Sequence, residues 1–287
     1  MMRSKLFLPG SRPEFFEKGF RGEADALSFD LEDAVAPEKK ASARRHIHDA
    51  LARLPRVHDK IMIVRVNAVG TPEFAEDIDA IVTTGLDEIN LPKLESVDEL
   101  EAGIMAIEAA EKRKGLAHQI KILVNVESPK GMRLAADIAS ASPRISGLQY
   151  GLGDLFAPNR IDRHEAANAP VRMMARLAAA EAGVPAYCTA WTNIADTLGY
   201  EREARAALRL GFSGKTALHP IQVPIANMVF TPSEALVAWS QKVLAAMALP
   251  ENAGKGAFTV DGKMVDEPFF REARATIDLA RRLKLIS

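Results

Sequence analysis

Short apolar runs alternate with longer amphipathic segments along most of this 287-residue chain. The runs are bounded by polar residues or glycine, as parallel strands that are buried on both faces are. They predict strands at 5–9, 26–31, 61–66, 88–91, 120–126, 147–152, 184–189 and 214–218. Eight strand–helix alternations predict an α/β fold of the TIM (β/α)8 barrel type, with a doubly wound sheet as the alternative.

Local signals predict helices between these strands. Ser96, followed by Glu99, is typical of a capping box and predicts a helix that runs to about Lys114. Pro170 predicts the start of an alanine-rich helix that ends just before Gly183.

The sequence continues beyond the eighth strand. It predicts a helix at about 231–247, a loop or hairpin at 254–266 and a last helix at about 267–285. We therefore predict a barrel over residues 1–230 and a C-terminal helical extension over residues 231–287.

The charge balance excludes several classes of partner. Lys and Arg number 37 and Asp and Glu number 38, which gives a formal net charge of −1. Such a chain has no electrostatic footprint for nucleic acid or for an anionic membrane. Its one cysteine, Cys188, cannot form an internal disulfide, and no run approaches the ~20 apolar residues of a membrane span. We predict a soluble, cytoplasmic protein with no nucleic-acid or membrane partner.

Ionisable side chains follow six of the eight predicted strands. In a barrel the carboxyl ends of the strands converge on one face, where the catalytic groups of such enzymes lie. Charged groups are costly to bury there unless they are paired or bind a metal. The residues, in chain order, are Glu32, Asp33, Arg65, Lys93, Glu127, Asp154 and His219. This pattern predicts an active site at that face.

Structural interpretations of the same residues remain open. The four carboxylates are also typical of helix caps, first helical turns and tight turns. Arg65 can neutralise neighbouring carboxylates, and Lys93 can lie exposed at the rim. His219 can be a packed core histidine, and Cys188 can be a small buried apolar residue.

Glu127 and Asp154 are the candidate metal ligands. They follow neighbouring strands, and two carboxylates suit Mg²⁺ (or Mn²⁺), which leaves the remaining positions to water and ligand. Such a metal can chelate a 2-oxo acid and stabilise the oxyanion that forms when a carbon–carbon bond breaks or forms. Arg65 could then bind a substrate carboxylate, with Glu32 and Asp33 as partners of metal-bound water and of Arg65.

Motifs spread over nearly the whole chain carry a resemblance to a known family. They are LPGSRP (8–13), DLEDAVAPEK (30–39), VRVN (64–67), LPKLES (91–96), ESPKG (127–131), GLGDL (151–155), GKTALHP (214–220) and PIAN to FTPSE (224–234). In this order they resemble the citrate lyase beta subunits and the malyl-CoA or citramalyl-CoA lyases.

The resemblance implies a TIM barrel that assembles as a homotrimer or hexamer. Its activity is expected to be a Mg²⁺-dependent, Claisen-type cleavage or formation of a short 3-hydroxyacyl-CoA thioester. Malyl-CoA, giving acetyl-CoA and glyoxylate, and citramalyl-CoA, giving acetyl-CoA and pyruvate, are both candidate substrates. Three alternatives stay open: an aldolase on free 2-oxo acids, a subunit of a citrate lyase complex acting on an acyl-carrier-protein thioester, and an inactive relative.

The resemblance also implies roles for matching residues. Glu127 and Asp154 bind the metal, Arg65 binds the substrate carboxylate, and Glu32 and Asp33 lie in the outer shell of the metal. Gly10 and Arg12 belong to the loop that holds the CoA moiety, and Lys93 is assigned to substrate binding. Asp266, in the motif GKMVD, enters the site of a neighbouring subunit as the acid/base; its alternative role is to cap the last helix.

Two positions depart from the family pattern. Cys188 stands where the family commonly has the aspartate of an Ile-Asp-Thr motif, and Pro158 stands where a second acidic residue commonly follows Asp154. The predicted metal pair is present in spite of both changes.

Overall fold

Eight parallel strands form a closed barrel. The computed structural model describes residues 2–53, 60–249, 252 and 254–286. The strands pair in chain order and β1 pairs with β8, which closes the sheet and excludes the doubly wound alternative. They are β1 Ser4–Pro9, β2 Ala26–Asp30, β3 Ile61–Arg65, β4 Glu88–Leu91, β5 Lys121–Val126, β6 Ile145–Tyr150, β7 Ala186–Cys188 and β8 Gly214–Ala217. The predicted TIM barrel is confirmed, and the strand ends differ from the predicted ones by at most two residues.

Helices follow the strands around the barrel. They are α1 Phe16–Arg21, α2 Lys40–Ala52, α3 Pro72–Ile81, α4 Val97–Lys114, α5 Pro129–Arg133, α6 Ala135–Ser140, α7 Leu152–Phe156, α8 Glu165–Glu181, α9 Thr197–Arg209 and α10 Gln222–Phe230. No helix in the described ranges is both long and apolar enough to cross a membrane.

One predicted helix cap is incomplete, and one predicted helix start is wrong. The Ser96 hydroxyl caps α4 by accepting a hydrogen bond from Glu99 N at 3.1 Å, but the Glu99 carboxylate accepts from Glu95 N, so the capping box is incomplete. Helix α8 begins at Glu165, and Pro170 lies inside it. The prediction placed the helix start at Pro170, but the residues from Glu165 onward already form the first turn.

The two faces of the barrel strands carry different side chains, since successive strand residues point to opposite faces. The face toward the helices is apolar and includes Leu27, Val64 and Val124. Inside the barrel, Met2, Ala26, Ile63, Leu123 and Tyr187 form a separate apolar cluster. Polar side chains follow it toward the carboxyl ends of the strands: Lys5, Ser28, Asn90, Asn125 and Gln149. The barrel therefore has an apolar base and a polar upper interior.

The described chain divides into two compact units, Met1–Phe230 and Thr231–Ser287. The second unit contains α11 Glu234–Met247, an antiparallel hairpin of β9 Ala257–Val260 and β10 Lys263–Asp266, and α12 Glu267–Arg282. Its core packs Val243, Val265 and Phe270 together, with Phe258 stacked on Phe270 at 5.2 Å between ring centroids. The hairpin thus has its own apolar contacts with both helices of its unit.

Candidate functional site

A cavity of about 280 Å³ lies at the carboxyl-terminal ends of the barrel strands. Its polar lining includes Asp30, Arg65, Asn125, Glu127, Gln149 and Arg163. Most of these side chains stand at or near the ends of β2, β3, β5 and β6, which the closed sheet holds next to one another. This is the face of a TIM barrel on which active sites lie.

Glu127 lines this cavity and forms a carboxylate pair with Asp154, which lies next to the lining residue Gly153. Glu127 is only 4% exposed and its carboxyl group hydrogen-bonds that of Asp154, which is exposed in the first turn of α7. Asn125 Nδ2 donates to Glu127 Oε1 at 2.5 Å. Burial, together with the nearby Glu32 and Asp154 carboxylates, raises the pKa of Glu127 to about 8. At neutral pH the carboxyl group of Glu127 is therefore mostly protonated unless a cation lies beside it.

This donor set fits Mg²⁺. Two carboxyl groups are in contact here, and burial and the neighbouring carboxylates keep one of them protonated. A divalent cation that replaces this proton would bind both carboxylates. No group of three or more His, Cys, Asp or Glu side chains able to hold a metal occurs in the described part of the chain. Mg²⁺ is commonly bound by one or two carboxylates, with water and ligand in the other positions. A structural zinc site, in contrast, needs four protein ligands.

Gly151 leaves the space that the Glu127 side chain occupies. A Cβ atom on Gly151 would lie 2.4 Å from Glu127 Oε2, and Gly151 N donates to Val126 O at 3.0 Å, which fixes the backbone there. The Glu127 carboxylate can therefore occupy this position only because residue 151, which directly follows β6, has no side chain.

We expect Gly151→Ala to weaken Mg²⁺ binding by about 10- to 100-fold, because the added methyl group displaces the Glu127 carboxylate. Gly153→Ala is the matched control, since a Cβ atom there would have no neighbour within 4 Å. Titration calorimetry with Mg²⁺ measures both affinities, and circular dichroism reports the fold. Equal affinities of the two variants would contradict this role of Gly151.

Arg65 lies at the centre of a buried ion network. Its Nε and Nη2 atoms donate to the two Asp30 carboxylate oxygens at 2.7 and 2.8 Å, and Nη1 lies 2.7 Å from Glu32 Oε2. Burial lowers the pKa of Arg65, but the Asp30 and Glu32 carboxylates outweigh it and hold the pKa above its usual value. Three of the five N–H groups make these contacts, so two remain for a ligand carboxylate.

Lys93 joins Glu32 and Asp33 at the rim of the barrel. Its Nζ atom lies 2.7 Å from Glu32 Oε1 and 3.2 Å from Asp33 Oδ1. Asp33 is exposed and pairs with Lys93, so of the two acidic residues expected beside Arg65 only Glu32 reaches it. Asp30 takes the other place because it lies directly across from Arg65 in the β2–β3 register. Lys93 itself has φ 54°, an uncommon conformation for a residue with a side chain.

The turn after β1 lies beside the end of β2. Gly10 N donates to Asp30 O at 2.9 Å, and a Cβ atom on Gly10 would lie 2.8 Å from both Asp30 O and Ile47 Cδ1. Gly10 is therefore required for close packing, whatever it binds. The Arg12 side chain is exposed, pairs with Glu14 and lies over the Phe15 ring. It is outside the lining of the cavity.

Two further expectations concern His219 and Asp266. His219 is exposed and its Nδ1 atom accepts from Ile221 N at 3.2 Å, so the core-histidine interpretation is wrong. Asp266 stands at the N-cap position of α12, but its side chain makes no capping hydrogen bond, and its Oδ1 atom is buried without a hydrogen-bond partner among the described residues. Its carboxylate is thus not used by the helix that follows it.

Cys188 lies on the outward face of β7, within the apolar layer between barrel and helices. Its Sγ atom is 3.3 Å from the Tyr150 hydroxyl and 3.6 Å from Lys215 Nζ, and burial raises the pKa of its thiol. The residue after it, Thr189, lines the cavity instead. The cysteine at this family position therefore does not face the candidate substrate site.

Sequence reasoning missed several polar residues inside the strands. Asp30, Asn125 and Gln149 line the cavity. Buried Lys5 donates to Gln149 Oε1 at 2.5 Å, and burial, followed by the charge of Arg65, lowers the pKa of Lys5 to about 7. The available signal was a polar residue at an alternate position of an otherwise apolar strand, which marks the inward face.

Comparisons with known proteins agree with this architecture. Residues 3–220 match the family model described as HpcH/HpaI aldolase/citrate lyase. The citrate lyase subunit beta of Leuconostoc mesenteroides subsp. cremoris is 32% identical, with 100% of this chain and 95% of that protein covered. The L-malyl-CoA/beta-methylmalyl-CoA lyase of Rhodobacter capsulatus is 32% identical, with 99% and 96% covered.

Solved structures are similar over the same length. The crystal structure of protein CitE from Mycobacterium tuberculosis in complex with magnesium, acetoacetate and coenzyme A is 31% identical, with a TM-score of 0.75 and 97% of each chain covered. Both the family model and full-length relatives above 30% identity thus match. This chain belongs to the HpcH/HpaI aldolase/citrate lyase family.

Proposed function

We propose that this protein is a Mg²⁺-dependent carbon–carbon lyase that cleaves or forms a short 3-hydroxyacyl-CoA, such as malyl-CoA or citramalyl-CoA. The products of cleavage are acetyl-CoA and a 2-oxo acid. The observation that carries the proposal is the Glu127–Asp154 pair, of which Glu127 shares one cavity with Arg65. Relatives named citrate lyase subunit beta and L-malyl-CoA/beta-methylmalyl-CoA lyase support it.

Each residue has a defined part in this reaction. Glu127 and Asp154 hold the metal, Mg²⁺ or Mn²⁺, which when bound supplies Lewis-acid polarisation of the 2-oxo acid carbonyl. Arg65 binds the carboxylate of that acid through its two remaining N–H groups, and Asp30 and Glu32 keep its guanidinium in place. Lys93, fixed by Glu32 and Asp33, adds a positive charge at the rim, where the anionic substrate enters.

The proton transfers require an acid/base. In cleavage, a carboxylate removes the proton of the substrate hydroxyl, and the bond between the hydroxyl-bearing carbon and the α-carbon of the thioester breaks. The electron pair passes to the thioester as an enolate, and the same group returns the proton to the enolate carbon to give acetyl-CoA. We assign this role to Asp266 of a neighbouring subunit, in a homotrimer or hexamer, because its carboxylate has no hydrogen-bond partner at Oδ1 among the described residues.

The thioester portion lies outside the 280 Å³ cavity in this proposal. The turn that contains Gly10 and Arg12 holds the CoA moiety, and the exposed Arg12 guanidinium contacts one of its phosphates. The same surface can serve a thioester carried by an acyl-carrier protein.

A coupled assay for acetyl-CoA release from malyl-CoA and citramalyl-CoA tests the proposed function. Turnover of at least one thioester that requires Mg²⁺ and is lost with EDTA is the expected result. Absence of turnover with either substrate, in the presence of Mg²⁺ or Mn²⁺, would contradict it. Activity only after addition of acyl-carrier protein would identify a subunit of a citrate lyase complex instead.

An aldolase on free 2-oxo acids is the second candidate, because Glu127 and Arg65 line the cavity and Arg12 does not. Thermal melting separates the two candidates, since a ligand that binds the native state raises Tm. CoA and pyruvate should both raise Tm for the lyase. Only pyruvate should do so for the aldolase.

Mixing two inactive variants tests the origin of the acid/base. We expect Asp266→Ala and Glu127→Ala each to be inactive alone, and a mixture that is dissociated and reassembled to regain part of the activity. The gain arises because some sites then combine an intact metal pair from one subunit with an intact Asp266 from another. Light scattering gives the oligomeric state. A monomer, or a mixture without activity from variants that reassemble normally, would contradict the shared site.

A further inference from the structure

A second cavity, of about 480 Å³, lies outside the strands of the barrel. It is bounded by the start of α8, the loop after β7 and one face of α9, and its lining includes Arg163, Asn168, Trp191, Arg202, Arg205 and Arg209. Its volume lies in the usual range of a small-molecule site. The proposed reaction uses none of these six residues.

The lining of this cavity is positively charged. Arg202, Arg205 and Arg209 follow one another on α9 at spacings of three and four residues, so they share one face of the helix. The cavity also has two carboxylates, but Glu165 is paired with Arg172 and Glu203 with Lys215. Arg172 and Lys215, from outside the lining, and Arg163, within it, neutralise these carboxylates, so Arg202, Arg205 and Arg209 leave a net positive charge in the cavity.

The α9 arginines are only partly neutralised. Arg205 pairs with Glu201 at 2.7 Å, whereas Arg202 lies 3.9 Å from its nearest carboxylate oxygen, on Asp196. Arg209, in the last turn of the helix, enters no ion pair with another residue of the described ranges. Guanidinium groups with free donors are well suited to phosphate oxygens.

Three buried polar atoms of the lining have no hydrogen-bond partner among the described residues. They are Arg163 Nε, Trp191 Nε1 and Asn168 Oδ1, and Asn168 is only 4% exposed. Protein atoms cover all three, each with less than 1 Å² of accessible surface, so the donors that a ligand can reach are those of the exposed α9 arginines.

We propose that this arginine-lined cavity binds a small molecule through a phosphate or pyrophosphate group. The arginines of α9 donate to its oxygens. One side chain, that of Arg163, lines both this cavity and the catalytic cavity. Arg163 Nη2 donates to Ala190 O at 2.5 Å and to Glu203 at 3.2 Å, so a ligand on the same guanidinium acts on the wall that the substrate meets.

Titration calorimetry with inorganic pyrophosphate, in EDTA and without substrate, tests the site on the full chain. We expect saturable binding by the wild type and about tenfold weaker binding by Arg209→Gln, which removes charge-assisted hydrogen bonds. Arg113→Gln is the matched control, because Arg113 is an exposed arginine on α4 that pairs with Asp79. Its affinity for pyrophosphate should equal that of the wild type.

Several outcomes would overturn the proposal. They are no binding at millimolar pyrophosphate, equal losses in Arg209→Gln and Arg113→Gln, and loss of binding in Arg12→Gln but not in Arg209→Gln, which would assign the ion to the CoA turn. Binding of citrate but not of pyrophosphate would assign the cavity to carboxylates. Because Glu127→Ala should still bind pyrophosphate, failure of the lyase proposal is distinguishable from failure of this one.

Discussion

The substitutions Glu127→Gln and Asp154→Asn are each expected to lower kcat of the proposed lyase reaction by about 10³-fold. Each removes one negative oxygen ligand from a pair, and the polarisation of the 2-oxo acid carbonyl depends on the metal that this pair holds. Steady-state assays with malyl-CoA or citramalyl-CoA over a range of Mg²⁺ concentrations measure the loss. Glu101→Gln, an exposed position on α4, is the control for removal of a carboxylate and should leave kcat unchanged.

Stability distinguishes this effect from unfolding. In the metal-free protein the pKa of Glu127 is raised to about 8, so the folded state binds a proton that the unfolded state releases above its own, ordinary pKa. The stability contributed by Glu127 is therefore lost as pH rises from the ordinary pKa of a glutamate toward about 8. Glu127→Gln should remove that loss, so that the metal-free variant melts at or above the wild type at pH 8. A variant that is both inactive and less stable at pH 8 would contradict the assignment.

Arg65→Met is expected to destabilise the protein by about 3–5 kcal/mol and to abolish turnover. The guanidinium neutralises two buried carboxylates, and removal of one partner from a buried ion network leaves charges without compensation. Urea unfolding measures the free-energy change. Arg65→Lys should keep part of the stability, because it keeps the charge, but it should raise KM for the 2-oxo acid, because a lysine cannot bind a carboxylate with two parallel hydrogen bonds.

A double variant separates the two roles of Arg65. Asp30→Asn combined with Arg65→Met removes one of the stranded carboxylates, so it should recover part of the lost stability and none of the activity. If Arg65→Met lowered the free energy of unfolding by less than about 1 kcal/mol, the buried Asp30 and Glu32 carboxylates would not need Arg65 to neutralise them. A normal KM for the 2-oxo acid in Arg65→Lys would exclude Arg65 from carboxylate binding.

The fold was predictable from the sequence because eight short, mostly apolar strand segments alternate with longer helical segments. Helix boundaries were less predictable. Pro170 was interpreted as a helix start, yet it lies inside α8, where the preceding residues already form the first turn. The signal is local, whereas the packing of α8 against the barrel decides where the helix begins.

The candidate site was predictable where charged residues stand at or just after the ends of strands, as at Arg65, Glu127 and Asp154. The partners of these residues were not predictable. Asp30 ends β2 and is the bidentate partner of Arg65, but it was predicted only as part of a strand and of a motif. Lys5 was predicted only as the first residue of a strand, although its side chain is buried inside the barrel. Partner choice depends on register across strands, which a single sequence does not supply.

The hydrogen bond from Gly151 to Val126 has a consequence for how this scaffold can change. It joins the end of β5, next to Glu127, to the residue before α7, and Asp154 lies in the first turn of α7. The spacing of the carboxylate pair therefore depends on the ends of β5 and β6 and on the start of α7. Other segments at the mouth of the barrel could be exchanged, lengthened or grafted from another barrel to accept a new acyl group without moving the metal ligands. Diversification by loop replacement is open to this architecture, provided that position 151 stays free of a side chain.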